Sequence, residues 1–166
     1  MDFLGASKGL RLLIWQAILT CALLPPMQQV HSAEVPPLSR DLRADAAAAA
    51  RQQQPLLLFF TLAGCPYCER VRREYLGPMS HDADQARRAL IRELPIEASL
   101  TGFDGAAHSA REIAALYKVN LFPTVVLVDA HGTAIAEPLV GFSSPDFYGG
   151  LLDGRIDTAN EKIKQN

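Results

Sequence analysis

The sequence predicts an α/β fold in which one domain follows an N-terminal leader. A continuous apolar run of strand length at 56–60 is typical of a central strand that is covered on both faces, and the segment 121–128 enters another strand through Pro123. Segments with helical character lie before, between and after them, so the predicted order is α-β-α-(α)-β-α-β-β-α. A chain of 166 residues, 49% of them hydrophobic, suffices for one packed core and not for two.

The first residues have the pattern of a secretory signal peptide. Lys8 and Arg11 precede an apolar run at 12–24, which ends at two prolines. A helix of that length spans about 20 Å, less than the roughly 30 Å of a membrane's hydrocarbon core. We therefore predict a signal peptide at 1–32, cleaved after Ser32 or after Ala33, and a periplasmic protein without stable membrane insertion.

Two alternatives to a cleaved leader stay open. The apolar run forms a buried helix if it is retained, and Cys21 within it carries a lipid anchor if the leader is a lipoprotein signal. Thr20 precedes Cys21 at a position where lipoprotein signals usually have Gly, Ala or Ser. If the leader is removed, the mature chain keeps two cysteines, Cys65 and Cys68, in a compartment that permits disulfides.

The mature chain is predicted to begin with a linker at 33–38, followed by one domain at 39–166. Prolines in the linker favour extended backbone, because a proline disfavours helix in the residue before it. Ser39 is predicted to cap a helix that continues through the alanine run to about residue 53, since alanine is the best helix former.

The remaining elements are assigned by apolar pattern and by turn residues. The first half has a strand at 56–60, a helix from Cys65, a loop with a short helix at 77–90 and a second strand at 90–98 that Pro95 weakens. The second half has a helix capped by Ser109, a third strand at 121–128, a turn at His131-Gly132, a fourth strand at 133–140 and a last helix from Ser144-Pro145.

Cys65 and Cys68 lie where the first strand passes into a helix. Pro66 suits the first helical position, which places Cys65 at the N-cap and Cys68 one turn inside on the same face. The free N–H groups and the helix dipole stabilise a thiolate at the N-cap, so Cys65 is the candidate nucleophile. Cys68 is placed to resolve a mixed disulfide. So short a loop adds little as a structural cross-link. A metal half-site or two inert cysteines are the alternatives.

The surrounding residues raise the specificity of this pattern. The segment Leu-Leu-Leu-Phe-Phe-Thr-Leu-Ala-Gly-Cys-Pro-Tyr-Cys at 56–68 and Phe-Pro-Thr at 122–124 resemble the thioredoxin superfamily, most closely its exported bacterial members. The resemblance covers about residues 40–155. It implies a thioredoxin fold, a central mixed four-stranded sheet flanked by helices, with an N-terminal helix and an insertion at 77–108 after the active-site helix.

The resemblance also implies site residues. Pro123 corresponds to the family's cis-proline, Phe122 offers its backbone to an extended substrate segment, and Tyr67 belongs to the same substrate surface. Two positions depart from the family pattern. Phe59 stands where thioredoxins keep a buried carboxylate, and Gly64 replaces the tryptophan before the nucleophile. Proton transfer to the buried thiol must then use water, another residue or the partner.

The resemblance implies an oxidoreductase that exchanges a dithiol and a disulfide with protein partners and contributes to cell redox homeostasis. Tyr67 at the second central position favours a reductant or isomerase role. An upstream redox partner bound to the membrane is a separate expectation. No cofactor is expected, and a net charge of −2 does not suggest a nucleic-acid surface. A chaperone-like or copper-delivering module is the alternative, although no metal site is expected.

Two groups of side chains outside the motifs are weaker candidates for binding sites. His81, His108 and His131 do not lie at short ligand spacing from the thiols. The three arginines at 70, 72 and 73 are predicted to form a solvated helix face.

Overall fold

The computed structural model describes residues 35–165, which form a three-layer α/β domain. The predictions for residues 1–34 lie outside this range. In chain order the elements are α1 (Leu42–Arg51), β1 (Leu56–Thr61), α2 (Pro66–Val71), α3 (Gly77–His81), β2 (Leu90–Pro95), β3 (Ser99–Thr101), β4 (Ala107–Ser109), α4 (Ala110–Leu116), β5 (Thr124–Val128), β6 (Leu139–Val140) and α5 (Pro145–Gln165). A π-helical turn (Arg72–Leu76) joins α2 to α3, and a 3-10 turn (Gln85–Arg87) precedes β2.

The main sheet has four strands in the order β2-β1-β5-β6, and it is mixed as the resemblance implies. β1 runs parallel to β2 and antiparallel to β5, which in turn pairs antiparallel with β6. The parallel register places Phe59 beside Glu93 and Thr61 beside Pro95. Since paired residues of neighbouring strands share a face, this register decides which β2 side chains lie on the side of the cysteines.

Alternate residues of β1 enter two separate cores. Leu57 and Phe59 pack with Cys68 and with the buried face of α5, whereas Leu58 and Phe60 pack with α1 and α4. All six residues of β1 are buried, which explains the continuous apolar run in the sequence. The cysteine pair therefore sits at the carboxyl end of the most buried strand, on the α2 and α5 side of the sheet.

The cap of α1 differs from the predicted one. Asp41 is the N-cap, and its Oδ1 accepts from the Ala44 N–H at 2.9 Å. Ser39 is buried two residues earlier, and its hydroxyl donates to Asp45 at 2.8 Å. The prediction that Ser39 caps this helix is wrong, because the chain before Asp41 is held extended along the sheet and the helix starts only after that pairing ends.

The edge of β2 is covered by the chain that leads into α1. The Glu93 N–H donates to the Pro37 carbonyl at 2.8 Å, and the Ser39 N–H donates to the Glu93 carbonyl at 3.0 Å. Leu38 thereby forms a parallel bridge with Glu93. Both backbone groups of Glu93 are thus bonded to the entering chain, and β1 lies in register on the other side of β2.

Three strands differ from their predicted lengths. β2 ends at Pro95, β5 begins only at Thr124, and the predicted strand at 133–140 is reduced to β6 and a single bridge between Val128 and Ala134. The sequence pattern missed the two-stranded hairpin of β3 and β4, because three-residue strands are too short to show alternation. The turn at His131-Gly132 is confirmed, with Gly132 at φ +79°.

The last helix, α5, contains Gly149 and Gly150 and has an apolar buried face. Tyr148, Leu152, Ile156 and Ala159 follow helical spacing and are all buried. Within residues 35–165 no helix is both long and apolar enough to cross a membrane.

Candidate active site

Cys65 occupies the N-cap of α2, as the position of Pro66 predicts. Its backbone is extended (φ −83°, ψ 109°), and Gly64 before it adopts φ +70°, a conformation that suits glycine. Pro66 begins the helix where no N–H is required. The Cys68 N–H donates to the Cys65 Sγ at 3.1 Å. The sulfur of Cys65 is therefore directly stabilised by a free N–H group of the helix.

The two cysteines form a disulfide, with their Cα atoms 5.3 Å apart. They differ in accessibility: Cys65 is partly exposed, whereas Cys68 is 1% exposed and belongs to the core around Phe59. A partner disulfide can reach Cys65 and not Cys68. The geometry thus supports Cys65 as the attacking sulfur and Cys68 as the resolving one.

The loop before β5 lies opposite the disulfide. The Phe122–Pro123 peptide bond is cis, as the resemblance implies. The Phe122 carbonyl oxygen lies 4.0 Å from the Cys65 Sγ, and the Pro123 carbonyl accepts from the Gly141 N–H at 2.7 Å. These contacts connect the loop to Cys65 and to the residue that follows β6.

Exposed and half-buried apolar side chains lie on the chain segments next to Cys65: the end of β1, the start of α2, the loop before β5 and the chain at β6. We call this set the apolar rim. Its members are Leu62, Tyr67, Leu121, Val140 and Phe142. Tyr67 is 58% exposed, and its ring stacks on Phe142 with centroids 6.1 Å apart. The guanidinium of Arg70 lies 5.2 Å from the centroid of the same Phe142 ring. Tyr67 is thus exposed beside Phe142, and its hydroxyl makes no hydrogen bond to either sulfur; its place in a substrate surface stays a prediction.

A buried carboxylate lies beside this site. Glu93 is 3% exposed, and in residues 35–165 no other Asp, Glu, Lys or Arg is buried. Its Oε1 accepts from the Thr61 hydroxyl at 2.8 Å, and both of its oxygens accept from Arg72 at 2.6–3.1 Å. Arg72 also contacts Glu69 on α2. These hydrogen bonds, foremost those to Glu93, raise the pKa of the Arg72 guanidinium.

The prediction of a solvated arginine face is wrong for Arg72. Its side chain is largely covered, because it lies one helical turn beyond Cys68 and points to the sheet where Glu93 receives it. Arg70 pairs with Glu74 on the exposed side of the helix. The sequence pattern did not single out Glu93. The available signal was its two-residue spacing from Ile91, which assigns both side chains to one face of β2.

The three candidate histidines lie apart from the cysteine pair. His81 Nε2 is 3.3 Å from the Val35 carbonyl, and His108 Nε2 is 3.0 Å from Asp104 at the hairpin. His131 lies in the turn after β5. In the described part of the chain no three His, Cys, Asp or Glu side chains converge in a geometry that could hold a metal ion.

The family model of a thioredoxin-like domain matches residues 42–153, which include the cysteine pair and Pro123. The chain belongs to the thioredoxin-like family. The fold predicted from the motifs is confirmed by this match and by the mixed sheet. A disulfide between the two cysteines of a C-x-x-C motif on this fold makes the protein a thiol–disulfide oxidoreductase.

Solved structures with the thioredoxin fold are similar to this chain at low identity. The periplasmic thioredoxin SoxS from Paracoccus pantotrophus is 23% identical, with a TM-score of 0.44 over 63% of this chain and 98% of that one. A thioredoxin-fold protein from Helicobacter pylori is 22% identical, with a TM-score of 0.45 over 74% and 94%. The C-terminal domain of DsbD from Neisseria meningitidis is 17% identical, with a TM-score of 0.46 over 71% and 98%. No curated protein matches the sequence.

The N-cap position predicts that Cys65 is the more reactive thiol once the disulfide is reduced. We expect its pKa to lie below that of a free cysteine, because an N–H group and the helix dipole face the sulfur. Alkylation rates measured against pH on Cys65→Ser and Cys68→Ser check this. Faster alkylation at neutral pH in Cys65→Ser, where only Cys68 remains in the domain, would reverse the two roles.

Proposed function

We propose that the protein is an exported oxidoreductase that reduces or isomerises disulfides in protein partners. The observation that carries this proposal is the apolar rim on the segments next to Cys65, together with a disulfide whose second sulfur is buried. An apolar surface of this kind suits an extended polypeptide segment, because apolar contact with a partner removes that surface from water.

The environment of the sulfurs supports a reductant or isomerase role over that of an oxidase. Oxidases of this fold stabilise the thiolate of the reduced form strongly, and their central dipeptide typically carries a histidine donor. Here Tyr67 stands at that position and stacks on Phe142 at the surface. Arg72, the cation that follows Cys68 by one turn, is paired with Glu93 and Glu69. Neither residue supplies an uncompensated positive group to the thiolate.

Catalysis of insulin reduction by dithiothreitol tests the activity. Turbidity should rise earlier with the protein than without it, and a metal chelator should leave the effect unchanged. The Cys65→Ser/Cys68→Ser variant is the matched control and should give the uncatalysed time course. A metal-carrying or chaperone-like module would give no catalysis, and sensitivity to chelator would favour the metal-binding alternative.

Equilibration with glutathione buffers tests the direction of electron flow. We expect a reduction potential between those of glutaredoxins and thioredoxin, roughly −200 to −270 mV. A value near that of a strong oxidant, about −120 mV, would contradict the proposed reductant or isomerase role and leave the dithiol chemistry intact.

Cell fractionation and N-terminal sequencing test whether the protein is exported. The protein should be recovered from the periplasmic fraction with a new N-terminus at Ala33 or Glu34. Recovery in the membrane fraction with a lipid on Cys21 would favour the anchored form instead. Trapping of mixed disulfides through Cys65 would then identify the upstream redox partner, which we expect in the membrane.

A further inference from the structure

The Glu93–Arg72 pair joins the sheet to the active-site helix. The Arg72 side chain reaches Glu93 on β2, while its backbone N–H donates to the carbonyls of Cys68 and Glu69. Glu93 in turn is held by the Thr61 hydroxyl and by its backbone hydrogen bonds to the chain that enters α1. A short series of hydrogen bonds thus connects a buried carboxylate to the peptide unit of the resolving cysteine.

The pair also lies on the side of the sheet where charge forms during the reaction. Glu93 neighbours Phe59, which packs in the same core as Cys68. Reduction of the disulfide takes up two electrons and two protons from a partner dithiol, breaks the Cys65–Cys68 bond and leaves the partner as a disulfide. At neutral pH one proton of the pair can be released, and Cys65 then carries a negative charge.

Arg72 and Glu93 have opposite effects on the stability of the Cys65 thiolate. The guanidinium alone would stabilise the thiolate and hence the reduced form, which raises a reduction potential. The carboxylate offsets that charge and keeps the guanidinium directed at the sheet. Arg72, which directly follows α2, is the cation that this buried acid holds.

We propose that Glu93 is a positioning residue that holds Arg72 against the sheet, balances its charge and thereby lowers the reduction potential of the Cys65–Cys68 couple. The inference concerns the dithiol exchange itself and does not depend on export or on the physiological direction of electron flow. Glu93 acts through Arg72 and does not touch the reacting sulfurs.

Two single variants and their combination test the proposal on the purified full-length protein. Glu93→Gln keeps the hydrogen-bonding shape and removes the negative charge, so the equilibrium with glutathione should move about tenfold toward the dithiol, or about 30 mV. Arg72→Gln should move it in the opposite direction, because a buried negative charge is left uncompensated. Arg72→Gln/Glu93→Gln removes both charges and should return to within about twofold of the wild type.

The pH profile of alkylation gives a second measurement of the same effect. The midpoint for Cys65 should move to lower pH in Glu93→Gln and to higher pH in Arg72→Gln. A merely structural role of the pair would loosen the helix in both variants, so both shifts would have the same sign.

Asp45→Asn is the matched control. Asp45 pairs with Arg92 at 2.6 Å, and this pair is also largely covered, but Arg92 lies beside Leu58 on the α1 face of the sheet. The variant should lose stability and keep the wild-type potential within about twofold. A shift in Asp45→Asn equal to that in Glu93→Gln would show a general effect of loosening and overturn the proposal.

Shifts of the same sign in the two single variants, or no shift in either, also overturn it. If Glu93→Gln does not fold, Arg72→Gln and the double variant decide: a lowered potential that the second substitution restores supports the proposal, and an unchanged one refutes it. The test compares variants with the wild type. A wild-type potential near that of an oxidase would contradict the proposed function and leave this comparison valid.

Discussion

Cys68→Ala should convert the protein from a catalyst into a trap for its partners. Cys65 can still attack a partner disulfide and form a mixed disulfide, but the sulfur that releases the partner is gone. Insulin reduction should fall to the background rate of dithiothreitol alone. Extracts of cells that express this variant, quenched with acid and separated on non-reducing gels, should show adducts that disappear when dithiothreitol is added.

Cys65→Ala is the control for this trap. It should lose the same turnover but form few adducts, because Cys68 is 1% exposed and is packed among core residues. Comparable adduct patterns in the two variants would mean that either sulfur can attack first, which would contradict the assignment made from the N-cap geometry.

Phe59→Ala should strongly lower the stability of the domain. Phe59 is 0% exposed at the centre of β1 and packs in the core that contains Cys68. Truncation of a buried phenylalanine typically lowers the free energy of unfolding by about 3–5 kcal/mol, because apolar contacts are lost and a cavity remains. Small domains have roughly 5–15 kcal/mol in total. Urea unfolding of the oxidised protein measures the change.

Phe147→Ala is the matched control, since it removes the same atoms from a side chain that is 69% exposed on α5. Its free energy of unfolding should stay within about 0.5 kcal/mol of the wild type. The urea dependence should be similar in all three proteins, so the midpoint alone reports stability. An equal loss in both variants would mean that Phe59 does not contribute through burial.

Residues close together in the sequence determine where the two cysteines lie relative to β1 and α2. The proline after Cys65 sets the start of α2, and the spacing of three puts Cys68 on the inner face of the helix. The apolar run of β1 showed that this turn follows a fully covered strand. These features depend on residues within one or two turns of each other, and such patterns can be recognised without knowledge of distant contacts.

Local sequence patterns did not predict the structure correctly where contacts distant in the chain decide between two local possibilities. Ser39 and Asp41 are both good N-cap residues, and only the pairing of the preceding segment with β2 excludes Ser39. The hairpin of β3 and β4 likewise depends on its neighbours, since Thr101 receives its pairing from Arg40 and Asp41.

By itself, the sequence determined the α/β class, the position of β1 and the placement of the two cysteines at the start of a helix. Only the tertiary structure decided that Arg72 turns inward and that the buried carboxylate of this site is Glu93. The two residues are 21 positions apart and meet because the parallel register of β1 and β2 brings Glu93 beside Phe59. That register is a property of two strands together, so neither strand's own sequence contains it.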